Sequence, residues 1–216
     1  SDVDHFNTLS MEMASDMLDA VRWLTSQPRG VVKAVVLQGA GDHFCPGGNY
    51  YQALAARLQR EPLGVSARRS IDIFDGFCRL RTLPVPVMCA VHGTVIGAGI
   101  AISLLTDYVI ADQSGTFQVG AASRGTYPAG LLTRTLADAV GEELAQRLHD
   151  TDQTLTAGQA CSYGLVQTVC ESCEKAQTFA YATARRYASS PNAAHQELDV
   201  QLRSFSGKLP QSDRRV

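Results

Sequence analysis

Two glycine-rich stretches hold the residue types best suited to chemistry on a carbonyl group. FCPGGN, residues 44–49, follows the apolar run 31–37, and GTVIGAGIAI, residues 93–102, follows the apolar run 87–91. A glycine turn after a strand lets main chain approach a ligand closely, and a helix start behind it adds unpaired N–H donors. One such turn can bind phosphate. No G-x-G-x-x-G follows the first strand and no G-x-x-x-x-G-K-[ST] occurs, which weighs against dinucleotide and P-loop readings. Two turns meeting at one point can instead direct two N–H groups at a single carbonyl oxygen. They then stabilise the negative charge it acquires, an oxyanion hole in which each donor is worth roughly 3–4 kcal/mol. The competing reading is that Gly47, Gly48, Gly97 and Gly99 only permit tight packing of helix on strand.

The elements that must position these turns are legible in the hydrophobic pattern. Met13, Met17, Leu18, Val21 and Leu24 recur at helical spacing, predicting a helix over 10–26 that Gln27-Pro28-Arg29-Gly30 ends. VVKAVVL, residues 31–37, reads as a buried parallel strand. Helices are predicted over 50–60 and 66–81, parted by Glu61-Pro62-Leu63-Gly64. A second buried strand follows over 87–91, then the 93–99 turn, an apolar helix over 100–106, and short strands over 108–111 and 116–119. Helices over 131–148 and 174–188 close the pattern, and the last 25 or so residues are polar. Strands alternating with helices imply an α/β fold with right-handed crossovers.

Composition narrows the function. With 216 residues, 45% apolar and 19% charged, the chain suits one domain with a real core. A net charge of −2 argues against a nucleic-acid or polybasic membrane binder. No stretch has the roughly 18 apolar residues of a membrane span. The polar opening SDVDHFNTLS lacks an initiator Met and a signal-peptide pattern, as expected of a trimmed chain or a domain excised from a larger synthase. Six cysteines, at 45, 78, 89, 161, 170 and 173, fit reduced thiols in a cytoplasmic protein. CESC, residues 170–173, has metal-ligand spacing, but without a second pair it reads better as a surface turn, so no metal site is expected.

Four blocks, AVVLQGAGDHFCPGGN, PVPVMCAVHGTVIGAGIAISLLTDYVIAD, TFQVGAASRGTYPAGLLTRTLADAVG and LTAGQACSYGLV, together resemble the crotonase (enoyl-CoA hydratase/isomerase) superfamily in order and spacing over roughly residues 7–188. The resemblance implies a crotonase-like ββα spiral over 1–150 with a helical C-terminal region over 151–216 that serves oligomerisation, as a homotrimer or hexamer. It implies an acyl-thioester substrate carried on CoA or an acyl carrier protein, with no separate cofactor. The two peptide donors to the thioester oxygen would be Gly48 and Ala98, flanked by Gly47, Gly97 and Gly99. The chain starts late for the family, without the first strand that helps shape the nucleotide-binding side.

The sequence departs from the hydratases at their two carboxylates, whose positions fall on Ala101 and Ala121. Alanine cannot transfer a proton, so hydration and carboxylate-dependent isomerisation are not expected. Decarboxylation of a β-carboxyl thioester needs only the oxyanion hole and one proton donor, and dehydration needs an acid for the leaving group. Both occur in the crotonase pair that installs β-branches on polyketides, to which ADQSGTFQ and GTYPAG are similar, although the Tyr and Lys of some such decarboxylases align with Gln52 and Ala56. Candidate proton donors are Tyr127, against a packing role, and His92, against the more frequent role of a hydrogen-bonded structural histidine. Tyr50, Tyr51 and Arg124 are candidate contacts to the acyl group or a carboxylate. His43 is read as shaping the first turn, Asp107 as a structural hydrogen-bonding group, and Glu142 and Glu143 as solvated. The alternatives are a catalytically silent crotonase-like scaffold that binds an acyl carrier or partner, and a hydratase/isomerase with non-standard catalytic residues.

Overall fold

The computed structural model describes residues 1–48, 58 and 62–189. The predicted 50–60 helix, Tyr50, Tyr51, Gln52, Ala56 and the polar tail from residue 190 therefore lie outside the described residues, Leu58 excepted. Helix α1, Met11–Ser26, starts where the Ser10 hydroxyl accepts the Met13 N–H at 3.2 Å, and its Ala14 and Val21 are buried. Strand β1 is Val35–Gln38 and helix α2 is Leu63–Cys78, followed by a 3-10 turn at Arg79–Thr82. Then come β2 (Val87–Val91), β3 (Thr94–Ile96), α3 (Ala98–Leu104), β4 (Tyr108–Asp112) and β5 (Thr116–Gln118). Helices α4 (Leu132–Val140) and α5 (Glu142–Thr151), strand β6 (Leu155–Thr156), helix α6 (Ala157–Ser162), strand β7 (Thr168–Cys170) and helix α7 (Cys173–Ala188) complete the order.

The larger sheet is parallel throughout, in the order β1-β2-β4-β7, with Val35 opposite Val87, Met88 opposite Tyr108 and Ile110 opposite Thr168. The smaller sheet has β3 and β5 parallel and β6 antiparallel to β5. The chain leaves β2, turns at His92-Gly93 into β3, then enters α3; the β4-to-β5 step repeats the turn one level on. Each turn stacks its first strand on one sheet and its second on the other. This is the expected ββα spiral.

Continuous apolar runs make the stacking possible. All five residues of β2 and of β4 are buried because both faces of the sheet are covered. Alternate residues serve opposite faces: Met88, Ala90, Tyr108 and Ile110 meet Ala176, Ala180 and Ala184 of α7. Val87, Cys89, Val91, Val109 and Ala111 join the main core with Leu104, Phe117 and Leu136. The alanines recur at i, i+4 and i+8, which lets α7 lie close to the strands. Asp107 has the structural role read for it: its carboxylate accepts the Val87 N–H at 2.7 Å while its own N–H donates to the Val87 carbonyl at 2.8 Å.

Several elements differ from their sequence pattern. The single helix predicted over 131–148 is two, α4 and α5, because Gly141 adopts φ 89° and breaks the i→i−4 ladder while the apolar spacing runs on across it. The first strand begins at Val35, where its N–H reaches the Pro86 carbonyl at 2.8 Å, so residues 31–33 precede the sheet. The second glycine turn contains β3. CESC is no simple surface turn: Cys170 ends β7 and Cys173 opens α7, both half-buried. Residues 151–189 are helical in part and also supply β6 and β7 to the two sheets.

His149, in the last turn of α5, has both ring nitrogens buried without a partner among the described residues. Burial holds its pKa below the ordinary 6.5, against the opposing pull of Asp150 and Asp152. The unfolded chain therefore takes up a proton that the folded chain resists as pH falls below 6.5, so stability drops in that window. His149→Leu is expected to raise the melting temperature, more at pH 5.5 than at pH 7.5; thermal melts at the two pH values check this.

Candidate active site

The first glycine turn is an extended segment held on both sides. On one side it runs beside β3: the Phe44 N–H donates to the His92 carbonyl at 2.9 Å and the Cys45 N–H to the Thr94 carbonyl at 3.3 Å. The Ile96 N–H returns to the Cys45 carbonyl at 3.1 Å. On the other side the Leu9 N–H donates to the Gly47 carbonyl at 2.8 Å, and Leu9 pairs with Gly48. In a regular strand the carbonyls of residues 45 and 47 would face the same neighbour. Gly47 has φ 110°, which turns its carbonyl to the opposite side. A trans peptide directs its C=O and N–H oppositely. The bond from Leu9 to the Gly47 oxygen therefore aims the Gly48 N–H away from Leu9, toward the side on which β3 and α3 lie.

The second turn joins β3 to α3. Gly97, with φ 53°, donates its N–H to the Gln118 carbonyl at 3.0 Å and accepts the Ala101 N–H at 2.9 Å. Ala98, half-buried, is the first residue of α3, so its N–H precedes any intrahelical acceptor. Among the described residues nothing accepts the N–H of Gly48 or of Ala98. The two turns touch: a Cβ on Gly99 would collide with the Cys45 carbonyl oxygen, and one on Gly47 would stand 3.2 Å from the Ile96 carbonyl oxygen. Only glycine at 99 lets α3 start this close to the first turn. Gly48 itself is exposed, and a Cβ there would meet nothing within 4 Å.

The other candidates are placed less uniformly. His92 is buried and its Nε2 donates to the Gly41 carbonyl at 2.8 Å, so the proton proposed for chemistry has a main-chain acceptor and braces the first turn. His43 does the shaping read for it, its Nδ1 accepting the Thr94 N–H at 3.1 Å. Tyr127 is 94% exposed, which removes the packing role within this chain and leaves its hydroxyl free in solvent. Arg124 folds back, its guanidinium donating to the Gly120 carbonyl at 3.1 Å beside Asp152. Glu142 and Glu143 are exposed in the first turn of α5.

The two positions on which the resemblance places the hydratase carboxylates are apolar and shut in. Ala101 is 0% exposed and Ala121 is buried. Gly130 closes on Ala101, with a would-be Cβ 3.1 Å from that of Ala101 and crowded by the Phe74 ring. Phe74 escaped the sequence reading, where it is one apolar residue of a helix stripe.

Asp152 escaped it too. It follows α5 in the left-handed conformation, φ 51°, and is 9% exposed. Its carboxylate accepts the Gly120 N–H and, at 2.8 Å, the Ser123 N–H, while its carbonyl accepts the Gln118 amide at 3.0 Å. Burial pushes this carboxyl up, but the Ser123 hydroxyl, the Ser123 and Gly120 N–H groups and the Arg124 charge outweigh it and hold the pKa below the ordinary value. Asp152 thus clamps the 120–124 turn that carries Ala121. In the sequence, nothing separates it from Asp150.

Comparison with known proteins agrees with the fold. The enoyl-CoA hydratase/isomerase family pattern matches residues 1–211. A Mycobacterium tuberculosis (strain ATCC 25618 / H37Rv) protein named "Probable enoyl-CoA hydratase EchA14" is 30% identical over 173 residues, 79% of this chain; the chain spans 64% of that relative's length. The 1,2-epoxyphenylacetyl-CoA isomerase of Escherichia coli (strain K12) is 29% identical over 189 residues, 87% of this chain and 70% of the relative. The crystal structure of an enoyl-CoA hydratase from Polaromonas sp. JS666 superposes with a TM-score of 0.83 at 28% identity, covering 99% of this chain and 81% of that one.

Asp152→Asn keeps the shape but turns one acceptor oxygen into a donor facing a donor. It is expected to lower stability at pH 7 by about 1.5–3 kcal/mol, the range for a hydrogen bond to a charged group. Because the folded pKa is depressed, the Asp152 contribution is present above the ordinary 3.8 and is lost as pH falls through the lower folded value. Urea titrations of both proteins from pH 7 downward check that the gap narrows below 3.8.

Proposed function

The chain belongs to the enoyl-CoA hydratase/isomerase family, and from that premise we propose an enzyme that acts on an acyl thioester through a stabilised enolate, most simply by decarboxylation or dehydration. The observation that carries the reading is the pairing of two touching glycine turns with buried alanines at both hydratase carboxylate positions. Oxyanion donors are retained where the groups for water activation and proton shuttling are missing.

In the decarboxylation route the thioester oxygen accepts from the Gly48 and Ala98 N–H groups. The bond between the α-carbon and the β-carboxylate breaks, carbon dioxide leaves, and the electron pair becomes the enolate, whose charge rests on that oxygen. One proton delivered to the α-carbon completes the product. Tyr127 is the donor assigned here, its exposed hydroxyl free to meet an acyl group arriving from solvent. Dehydration reaches the same oxyanion only when a base takes the α-proton, after which an acid protonates the β-hydroxyl and it departs as water; decarboxylation needs no such base. A carboxylate at 101 or 121 would repel a β-carboxyl substrate, and alanine does not. Neither route draws on a metal or redox cofactor.

The names of the relatives, an enoyl-CoA hydratase and an epoxyphenylacetyl-CoA isomerase, favour a thioester on CoA; an acyl carrier protein presents the same phosphopantetheine thioester. Polyketide-type metabolism in the cytoplasm and assembly as a homotrimer or hexamer belong to the same reading. The missing carboxylates also favour a second reading, a silent scaffold that binds an acyl carrier without turnover.

Incubation with a panel of β-carboxyacyl and β-hydroxyacyl thioesters, followed by mass spectrometry, is expected to give loss of carbon dioxide or water from at least one member, with no hydration of a crotonyl thioester. Binding without turnover across the panel would decide for the scaffold. Gly48→Pro removes the first donor and is expected to slow turnover by ~10²–10³-fold in a folded protein. Tyr127→Phe is expected to lower kcat with KM little changed, and identical kinetics would remove Tyr127 from the mechanism.

A further inference from the structure

We propose that Asn7 is a positioning residue for the Gly48 N–H. The inference rests on the reading above, in which that N–H holds the thioester oxygen. Asn7 is 3% exposed, and its side chain is fully engaged. Its Nδ2 donates to the Ala40 carbonyl at 2.7 Å and to the His43 carbonyl at 2.7 Å, using both amide protons on the two ends of one turn. Its Oδ1 accepts the Asp2 N–H at 2.9 Å. From the other side His92 donates to Gly41. The carbonyls of residues 40, 41 and 43 are thereby held by donors from two separate segments.

Backbone conformation points the same way. Phe6 and Asn7 are consecutive left-handed residues, φ 56° and 58°. That conformation is strained for a residue such as Phe, and it persists only where the surroundings over-determine it. What the strain achieves is register. With the Asn7 amide spanning the start of the turn, Leu9, two residues on, meets its end and bonds the Gly47 oxygen at 2.8 Å. The 47–48 peptide plane is set by that bond, and with it the direction of the Gly48 N–H. Segment 7–9 therefore acts as a two-point brace. Asn7 fixes where the turn begins, and Leu9 fixes which way its last peptide faces. Without the amide, the 40–43 turn loses two hydrogen bonds, and the Gly48 donor is free to rotate away from the oxygen.

The test uses a conjugated probe, the hexadienoyl thioester presented both on CoA and on pantetheine, whose absorbance moves to longer wavelength when its carbonyl is polarised. Asn7→Gly removes the amide and accepts the left-handed backbone without strain, so the fold is spared. The wild-type protein is expected to red-shift the bound probe. Asn7→Gly is expected to bind it with most of the shift lost, and on a turned-over substrate to lose roughly 10²-fold in kcat with KM within about two-fold, as for a displaced catalytic group. Asn7→Asp is the second variant. At neutral pH its carboxylate faces two carbonyl oxygens and the shift is lost; on acidification the protonated carboxyl donates to one of them and part of the shift returns. A merely structural role gives no such pH-dependent recovery. A full wild-type shift in folded Asn7→Gly, or in Asn7→Asp at neutral pH, overturns the proposal. Absence of a shift in the bound wild-type protein is a different result: it defeats the oxyanion reading itself, and this inference with it.

Discussion

A single reversed peptide governs the arrangement. Gly47 takes a positive φ that an L side chain resists, and this turns the carbonyl of the 47–48 peptide to Leu9. Peptide planarity then sends the Gly48 N–H toward β3 and α3. The start of α3 can stand beside it only because Gly99 has no Cβ to strike the Cys45 oxygen. If either glycine carried a side chain, the turn would straighten or the helix would retreat from it.

The spiral exists to repeat this contact at a fixed spacing. Stacking β2 on β1 and β4 on β2 brings the first glycine turn beside β3, and β3 in turn beside β5, through hydrogen bonds between main-chain atoms. Such bonds depend on side chains only at the corners. At the corners polar side chains turn inward: Asn7 and His92, both buried, at the first turn, half-buried Asp107 between β2 and β4, and buried Asp152 at the 120–124 turn. Each satisfies main-chain groups that no sheet partner reaches, as buried polar groups require.

The chemistry that the fold supports is narrowed by what surrounds those amides. A carboxylate at Ala101 would have to ionise in a fully buried apolar enclosure. The enclosure is consistent with an apolar residue there. At Ala121, the turn is held by Asp152 from behind, so a carboxylate is present nearby but is spent on two N–H groups.

Much of this was legible in the sequence. The buried runs 87–91 and 108–111 read as strands because a sheet covered on both faces admits only apolar residues. The two glycine turns announced close main-chain approach, Asp107 its structural role, and alanine at 101 and 121 the missing carboxylates. The helix break at Gly141 was not legible, because apolar spacing runs on across it and a φ angle leaves no mark in the pattern. Nor were the placement of Tyr127 in solvent, the engagement of His92 with Gly41, or the roles of Asn7 and Asp152. Asn7 meets its acceptors 33 and 36 residues away, and Asp152 reaches back 32 residues to Gly120. Local sequence records what a residue needs from its neighbours along the chain. Which distant carbonyl or N–H receives a buried amide or carboxylate is decided only when the spiral closes, because that pairing depends on distance in space and hydrogen bonds act over about 3 Å.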